Sequence, residues 1–309
     1  MKSIFDLCII GGGPAGVAGG VYSARKKLKT LFITEHFRNQ SVVSESIKNW
    51  IGTISISGED LASSLEKHLK FYSNEITVKE KETVIKVEKY ENNLFKIITN
   101  KGTYTSKTVL IASGGSRKKI QVKGSEKFDG KGITYCATCD APMYGDMDVV
   151  VIGGGNSAFE AASQLLAYAK SVTILQRSSF RADPITIKRV LSDPRVKAIE
   201  NVDLLEVKGD KFVSGITYKD KISGEIKELP IQGIFVEIGS SPSVEYVKED
   251  LVKFNEKGEI VVDPKTQKTS QEGIWAAGDC TDGLYKQNNI AAGDAIKAIE
   301  DIYKFLKTN

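Results

Sequence analysis

The chain has 309 residues, 41% hydrophobic and 27% charged, an ordinary composition with length for about two domains. Its 43 basic and 39 acidic residues leave a formal charge of +4 spread along the chain, which argues against a nucleic-acid surface. No stretch reaches the ~20 apolar residues of a membrane helix, and residues 1–6 run into a strand without a signal core, so the expected location is the cytoplasm.

The apolar run at 4–10 predicts a strand, Gly11-Gly12-Gly13-Pro14-Ala15-Gly16 a turn, 15–27 a helix and 30–34 a second strand ending at Glu35. Basic residues Arg25-Lys26-Lys27 suit the C-terminal dipole of that helix. Gly11, Gly13 and Gly16 satisfy Gly-x-Gly-x-x-Gly. Their uses are a tight turn, close approach of backbone to a pyrophosphate, and close helix–strand packing. The helix N-terminus offers free N–H groups to the diphosphate. Glu35 lies where a carboxylate would accept from a ribose hydroxyl.

Further on, 83–88 and 95–99 read as a small β-meander, and 108–112 as a strand running into Ser113-Gly114-Gly115. Then comes Cys136-Ala137-Thr138-Cys139-Asp140. A Cys-x-x-Cys pair can open and close a disulfide with little backbone movement, and it lowers the pKa of one thiol. The alternatives are a metal half-site, for which Cys8, Cys280, His36 and His68 are the remaining Cys and His residues, or two packing cysteines. Cys8 and Cys280 read as buried structural thiols.

The strand–turn–helix pattern then recurs, with strand 148–152, turn Gly153-Gly154-Gly155-Asn156-Ser157-Ala158, helix 158–168 and strand 171–175. Alanine in the third glycine place is an allowed variation. The strand ends in Gln176-Arg177-Ser178 with Arg181 close by and no acid, which favours a 2′-phosphate and hence NADP. Residues 211–229 predict a hairpin turning at Ser223-Gly224, and 234–238 a buried strand ending at Gly239. Residues 273–279 read as a strand entering a Gly278-Asp279 loop, and 289–306 as a helix. Two nucleotide units imply one resident and one visiting cofactor. With a dithiol between them, this suggests a flavoprotein disulfide reductase.

These motifs, with Phe180-Arg181-Ala182 and Tyr285-Lys286-Gln287, resemble the low-molecular-weight thioredoxin reductases over essentially the whole chain. The resemblance implies an α/β fold of two Rossmann-like, three-layer ββα dinucleotide-binding domains, the second inserted into the first. The expected FAD domain is 1–115 plus 245–309, and the pyridine-nucleotide and disulfide domain is 116–244. The resemblance also implies a homodimer and a large rotation between domains. Cys139 would receive electrons from FAD, Cys136 would attack a thioredoxin-like partner, and Asp140 would serve as the acid; Asp140 could equally cap a helix. Implied FAD contacts are Gly11, Gly13, Pro14, Ala15, Gly16, Glu35, Gln40, Asn49, Val84, Ala112, Ser113, Gly114, Gly278, Asp279, Lys286, Gln287 and Asn288. NADP contacts would be Gly153, Gly155, Asn156, Ser157, Arg177 and Arg181. No metal is expected.

Several places depart from the family pattern. Phe37-Arg38-Asn39-Gln40 stands for Gly-Gly-Gln, and Asn49-Trp50-Ile51-Gly52 for Asn-(Phe/Tyr)-Pro-Gly. Ala141-Pro142-Met143-Tyr144 lacks the usual Gly with two aromatics, and Lys286 replaces an arginine. The 2′-phosphate motif His-Arg-Arg-x-x-x-Arg is reduced to Gln176-Arg177-Ser178-Ser179-Phe180-Arg181. Losing one charge-assisted contact worth ~1.5–3 kcal/mol weakens NADPH by about one or two decades. The expectation is an NADPH-dependent reductase of a thioredoxin-like protein. The rivals are ferredoxin as donor, a non-turnover flavin-binding regulator, and an NADPH oxidase or peroxide-system partner. The lack of a redox domain before the first strand disfavours a self-contained peroxiredoxin reductase.

Overall fold

The computed structural model describes residues 4–38, 40–44 and 46–308, so Asn39 of the altered flavin loop lies outside the described residues. β1 (Ile4–Ile10), β2 (Thr30–Thr34) and β3 (Ile76–Glu80) are parallel, joined through α1 (Pro14–Arg25) and α2 (Gly58–Phe71). The sequence patterning predicts neither α2 nor β3. α2 starts at Ser57, whose hydroxyl accepts from the Asp60 N–H at 3.0 Å. β4 (Val84–Lys89), β5 (Phe95–Thr99) and β6 (Thr103–Ile111) form the expected antiparallel meander. β6 is longer than predicted: its first half pairs with β5, while it runs parallel to β1 throughout.

Successive β1 side chains leave on opposite faces. Leu7 and Ile9 share a core with Val17 and Val21 of α1, whereas Cys8 and Ile10 share one with Val87 and Ile97 of the meander. The layer order is therefore meander, parallel sheet, helices.

β7 (Gly115–Arg117) carries the chain into a second unit. There β8 (Ile133–Thr134), α3 (Ala137–Asp140), β9 (Asp148–Ile152), α4 (Asn156–Leu165), β10 (Ser171–Leu175), α5 (Pro184–Leu191) and β11 (Val196–Ile199) follow. β12 (Val202–Gly209), β13 (Val213–Asp220) and β14 (Ile226–Pro230) make an antiparallel sheet, and β15 (Gly233–Val236) returns to the parallel one. The parallel order is β11-β10-β9-β15-β8. Alternation again feeds two cores. Val149 and Val151 pack with Phe159 and Leu165 of α4; Val150 and Ile152 pack with Val207 and Ile216 of the antiparallel sheet. The two units thus share one three-layer plan.

β16 (Ser240–Pro242) pairs with β7 as the chain returns. β17 (Ile274–Ala276) runs parallel beside the second half of β6, and α6 (Asn288–Thr308) packs against α1. The Trp275 indole N–H donates to Asp301 at 3.0 Å from a fully buried ring. By contacts, the first unit is Met1–Ser46, Trp50–Ser116 and Ser241–Asn309, and the second is Ile47–Asn49 with Arg117–Ser240. The return falls at Ser240, ahead of residue 244, because Ser240–Pro242 is already paired as β16. Among the described residues no helix is long and apolar enough to cross a membrane.

Phe159 is fully buried and stands edge-on to Phe180 at 5.1 Å. Phe159→Ala is expected to cost about 3–5 kcal/mol, read from urea unfolding; a loss under about 1 kcal/mol would contradict this core assignment.

Candidate active site

The first glycine turn joins β1 to α1. Gly11 has φ +121°, and a Cβ there would lie 2.2 Å from the Ala112 carbonyl oxygen; a Cβ on Gly16 would lie 1.9 Å from that of Gly11. Both positions therefore exclude any side chain. Gly13 is the N-cap and Pro14 the first helical residue, with no side chain capping the helix. The N–H groups of Ala15 and Gly16 thus have no acceptor within the helix. Glu35 follows β2 and is exposed. The Glu82 N–H donates to Thr34 O at 3.2 Å, which brings Val84, buried at the start of β4, to the end of the sheet that carries Glu35.

The tail closes on this turn. Ala277 N–H donates to Ile111 O and Ala112 N–H to Ile10 O, each at 2.9 Å. Gly278 has φ +79°, and a Cβ there would touch those of Ala15 and Ala291 at 3.2 Å. The Gln40 amide donates to Asp279 at 2.7 Å, and Ser41 and Asn288 exchange hydrogen bonds at 3.0–3.1 Å. Gln287 lies at the mouth of α6, its carbonyl accepting from Ala291 N–H at 2.9 Å. Lys286 turns inward: its ammonium pairs with Glu259 at 3.1 Å and donates to the carbonyls of Asp279 and Thr281. The hydroxyl of Ser113 donates to Ser243 O at 2.6 Å and accepts from Tyr246 at 2.9 Å; Gly114 beside it has φ +68° and faces open space.

The second turn joins β9 to α4. Gly153 has φ +147°, a Cβ there would lie 2.3 Å from the Glu237 carbonyl oxygen, and Gly155 faces open space. Gly155 is the N-cap of α4, again without a side-chain cap, and Ser157 is exposed in the first turn. Asn156 donates to the Asp183 carboxylate at 2.9 Å and accepts from the Asp183 N–H at 2.8 Å. Arg181 N–H donates to Gly154 O at 2.7 Å. These bonds tie the Arg-bearing loop to the glycine turn. Arg177 and Arg181 are exposed, and among the described residues neither guanidinium is paired with a carboxylate. The Gln176 side chain covers Gly154.

Cys136 and Cys139 form a disulfide with Cα atoms 5.3 Å apart. Cys136 caps α3, its sulfur accepting from the Cys139 N–H at 3.2 Å. The Asn49 amide, expected at the flavin, donates to the Cys139 sulfur at 3.7 Å. Asp140 is half-buried; burial raises its carboxyl pKa, partly opposed by a hydrogen bond from the Thr134 hydroxyl. Thr134, on a two-residue strand, carries no sequence signal. By contrast Cys8 and Cys280 are buried free thiols, both pushed up by desolvation, Cys280 to about 11. They are poor thiolates. Among the described residues no three His, Cys, Asp or Glu side chains converge as a metal site.

The raised Asp140 carboxyl holds its proton to higher pH in the folded than in the unfolded chain. Its contribution to stability is most favourable below the unfolded carboxyl value, near ~3.9, and is lost as pH rises through the folded one. Asp140→Asn is therefore expected to raise the urea midpoint at neutral pH and to leave it nearly unchanged at acid pH. A lower midpoint at neutral pH would contradict the burial argument.

The family model described as pyridine nucleotide-disulphide oxidoreductase matches residues 5–295. A relative named NADH dehydrogenase, from Bacillus subtilis, is 39% identical over the whole chain and 60% of that protein. An Escherichia coli relative, named as the F component of alkyl hydroperoxide reductase, is 35% identical over 99% of the chain and 59% of its own length. The chain thus spans about 60% of these curated relatives. Among solved structures, thioredoxin reductase from Streptococcus pyogenes superposes with a TM-score of 0.93 at 30% identity, covering 100% of both chains. With its two glycine turns of the same build and its Cys-x-x-Cys disulfide, the chain belongs to the pyridine nucleotide-disulphide oxidoreductase family.

Proposed function

We propose that the chain moves two electrons from a reduced pyridine nucleotide to the Cys136–Cys139 disulfide and on to the disulfide of a small thioredoxin-like protein. The observation that carries this reading is the Cys136–Cys139 disulfide beside the half-buried Asp140, in a chain with two dinucleotide turns. FAD fits the first turn, where Gly11 and Gly16 admit no Cβ and the α1 N-terminus is uncapped. Gly13, Ala15 and Gly16 would take its diphosphate, Glu35 a ribose, and Gln40, Asp279 and Lys286–Asn288 the remainder. When bound, FAD supplies two-electron exchange between a hydride and sulfur.

Opening the disulfide to one thiol and one thiolate takes two electrons and one proton. Asp140, protonated, delivers one proton to the released sulfur. The Cys139 N–H on the Cys136 sulfur favours its thiolate, so Cys136 attacks the partner. That step forms a mixed disulfide and releases one partner sulfur as thiolate. Cys139 then attacks Cys136, releasing the second partner sulfur and restoring the internal disulfide.

NADPH is the first-choice donor, because Arg177 and Arg181 are exposed beside the second glycine turn and, among the described residues, neither guanidinium meets a carboxylate, which leaves both for a 2′-phosphate. NADH is the second reading, favoured by the Bacillus subtilis relative's name. The relatives named for alkyl hydroperoxide reductase favour an acceptor within a peroxide-reducing system. The uncapped second turn supports a nucleotide over ferredoxin. A homodimer in the cytoplasm is part of this reading.

In steady-state assays with a thioredoxin-like acceptor, Cys136→Ser is expected to abolish turnover while retaining the flavin, and Asp140→Asn to slow it by about 10²–10⁴-fold. Undiminished turnover of Cys136→Ser would overturn the dithiol route. Arg177→Ala is expected to raise the KM for NADPH by about 10–100-fold and leave that for NADH within about twofold. Equal effects on both would favour NADH as the donor.

A further inference from the structure

Glu237 directly follows β15, one residue past Val236, and its half-buried carboxyl has no hydrogen bond or ion pair among the described residues. Its place is specific. In the order β11-β10-β9-β15-β8, the chain's progress reverses between β9 and β15. Ligands of such sheets bind outside the C-terminal strand ends at that reversal. Glu237 N–H donates to Ile152 O at 2.8 Å, and its carbonyl lies against Gly153, so Glu237 borders the crevice beside the glycine turn.

Burial pushes the Glu237 carboxyl up to about 7; Arg117 from β7 opposes this and Glu160 from α4 adds to it. The adjoining strands bring uncharged groups to this end, Ile152 from β9 and, by β8, Thr134 and Tyr135, whose phenol burial keeps neutral. An ionised carboxylate there would face the nucleotide's diphosphate as a like charge. A neutral acid would instead offer an O–H donor.

We propose that Glu237 is a pyridine-nucleotide-binding residue that engages the diphosphate–ribose stretch only in its protonated form, so that nucleotide binding takes up a proton. This rests on the second turn being the pyridine-nucleotide site. Affinity is then flat at acid pH and falls about tenfold per pH unit above neutrality, until the titration of the bound state is reached.

The test is calorimetric titration of the flavin-loaded protein with NADP⁺ and NAD⁺ from about pH 6 to about pH 8.5, in buffers of different ionisation enthalpy. Wild type should take up a fraction of a proton approaching one with either nucleotide; Glu237→Gln should take up none with NAD⁺, whose Kd becomes independent of pH, and none beyond the 2′-phosphate's own titration with NADP⁺, flavin absorbance being retained. A flat wild-type Kd, or a Glu237→Gln variant that keeps the slope, would overturn the inference while leaving the nucleotide site in place. Failure of both nucleotides to bind wild type at any pH would overturn the site as well.

Discussion

How closely backbone approaches backbone at the two strand-to-helix turns is the constraint on which the rest depends. At Gly16 a Cβ would fall 1.9 Å from Gly11 O, and at Gly153 one would fall 2.3 Å from Glu237 O. Glycine at these points lets each helix leave its strand without an intervening loop. The helix ends therefore open directly at the C-terminal edge of the parallel sheet, with N–H groups that no side chain caps. Capping would be worth about 1 kcal/mol at each end, so the chain forgoes stability to keep these donors available. Everything else at the two edges is arranged around them: the Gly278–Asn288 tail at the first, the Arg-bearing loop and Glu237 at the second.

The acids of the second unit use one physical device twice. Asp140 and Glu237 are both half-buried carboxyls whose pKa is raised by desolvation. Burial of this kind disfavours the native state at neutral pH, so it is a cost the fold carries rather than a source of stability. The paired sulfurs are served differently. Cys136 accepts a backbone N–H and Cys139 a side-chain amide, while the two free thiols lie in fully buried surroundings that disfavour ionisation. Local donors, more than sequence spacing alone, separate the disulfide pair from the two buried free thiols.

The parts legible in the sequence are those set by short-range rules. Both glycine turns, the meander, the hairpin at Ser223-Gly224 and the long final helix follow from glycine spacing and period-two or helical patterning. α2 and α5 do carry start signals, the Ser57 cap and Pro184 in the first turn, but neither amphipathic segment follows a glycine-rich nucleotide turn that would mark it as an element in so mixed a composition. The strand read at 234–238 stops at Val236, since Glu237 and Ile238 leave the sheet for the turn at Gly239. Thr134 acquires its place beside Asp140, and Glu259 its place beside Lys286, through pairings across the fold that no local spacing encodes. The family resemblance implies Asn49 at the flavin; its amide also donates to the sulfur of Cys139, a contact that no local spacing encodes.

The central claim is that electrons entering from a pyridine nucleotide arrive at Cys136 and Cys139. The most direct measurement is anaerobic addition of one equivalent of NADPH to the flavin-loaded protein, followed by rapid alkylation and peptide mass spectrometry. The account predicts two newly labelled thiols per chain, at Cys136 and Cys139, with Cys8 and Cys280 unchanged. A bleached flavin over an intact Cys136–Cys139 disulfide would contradict it.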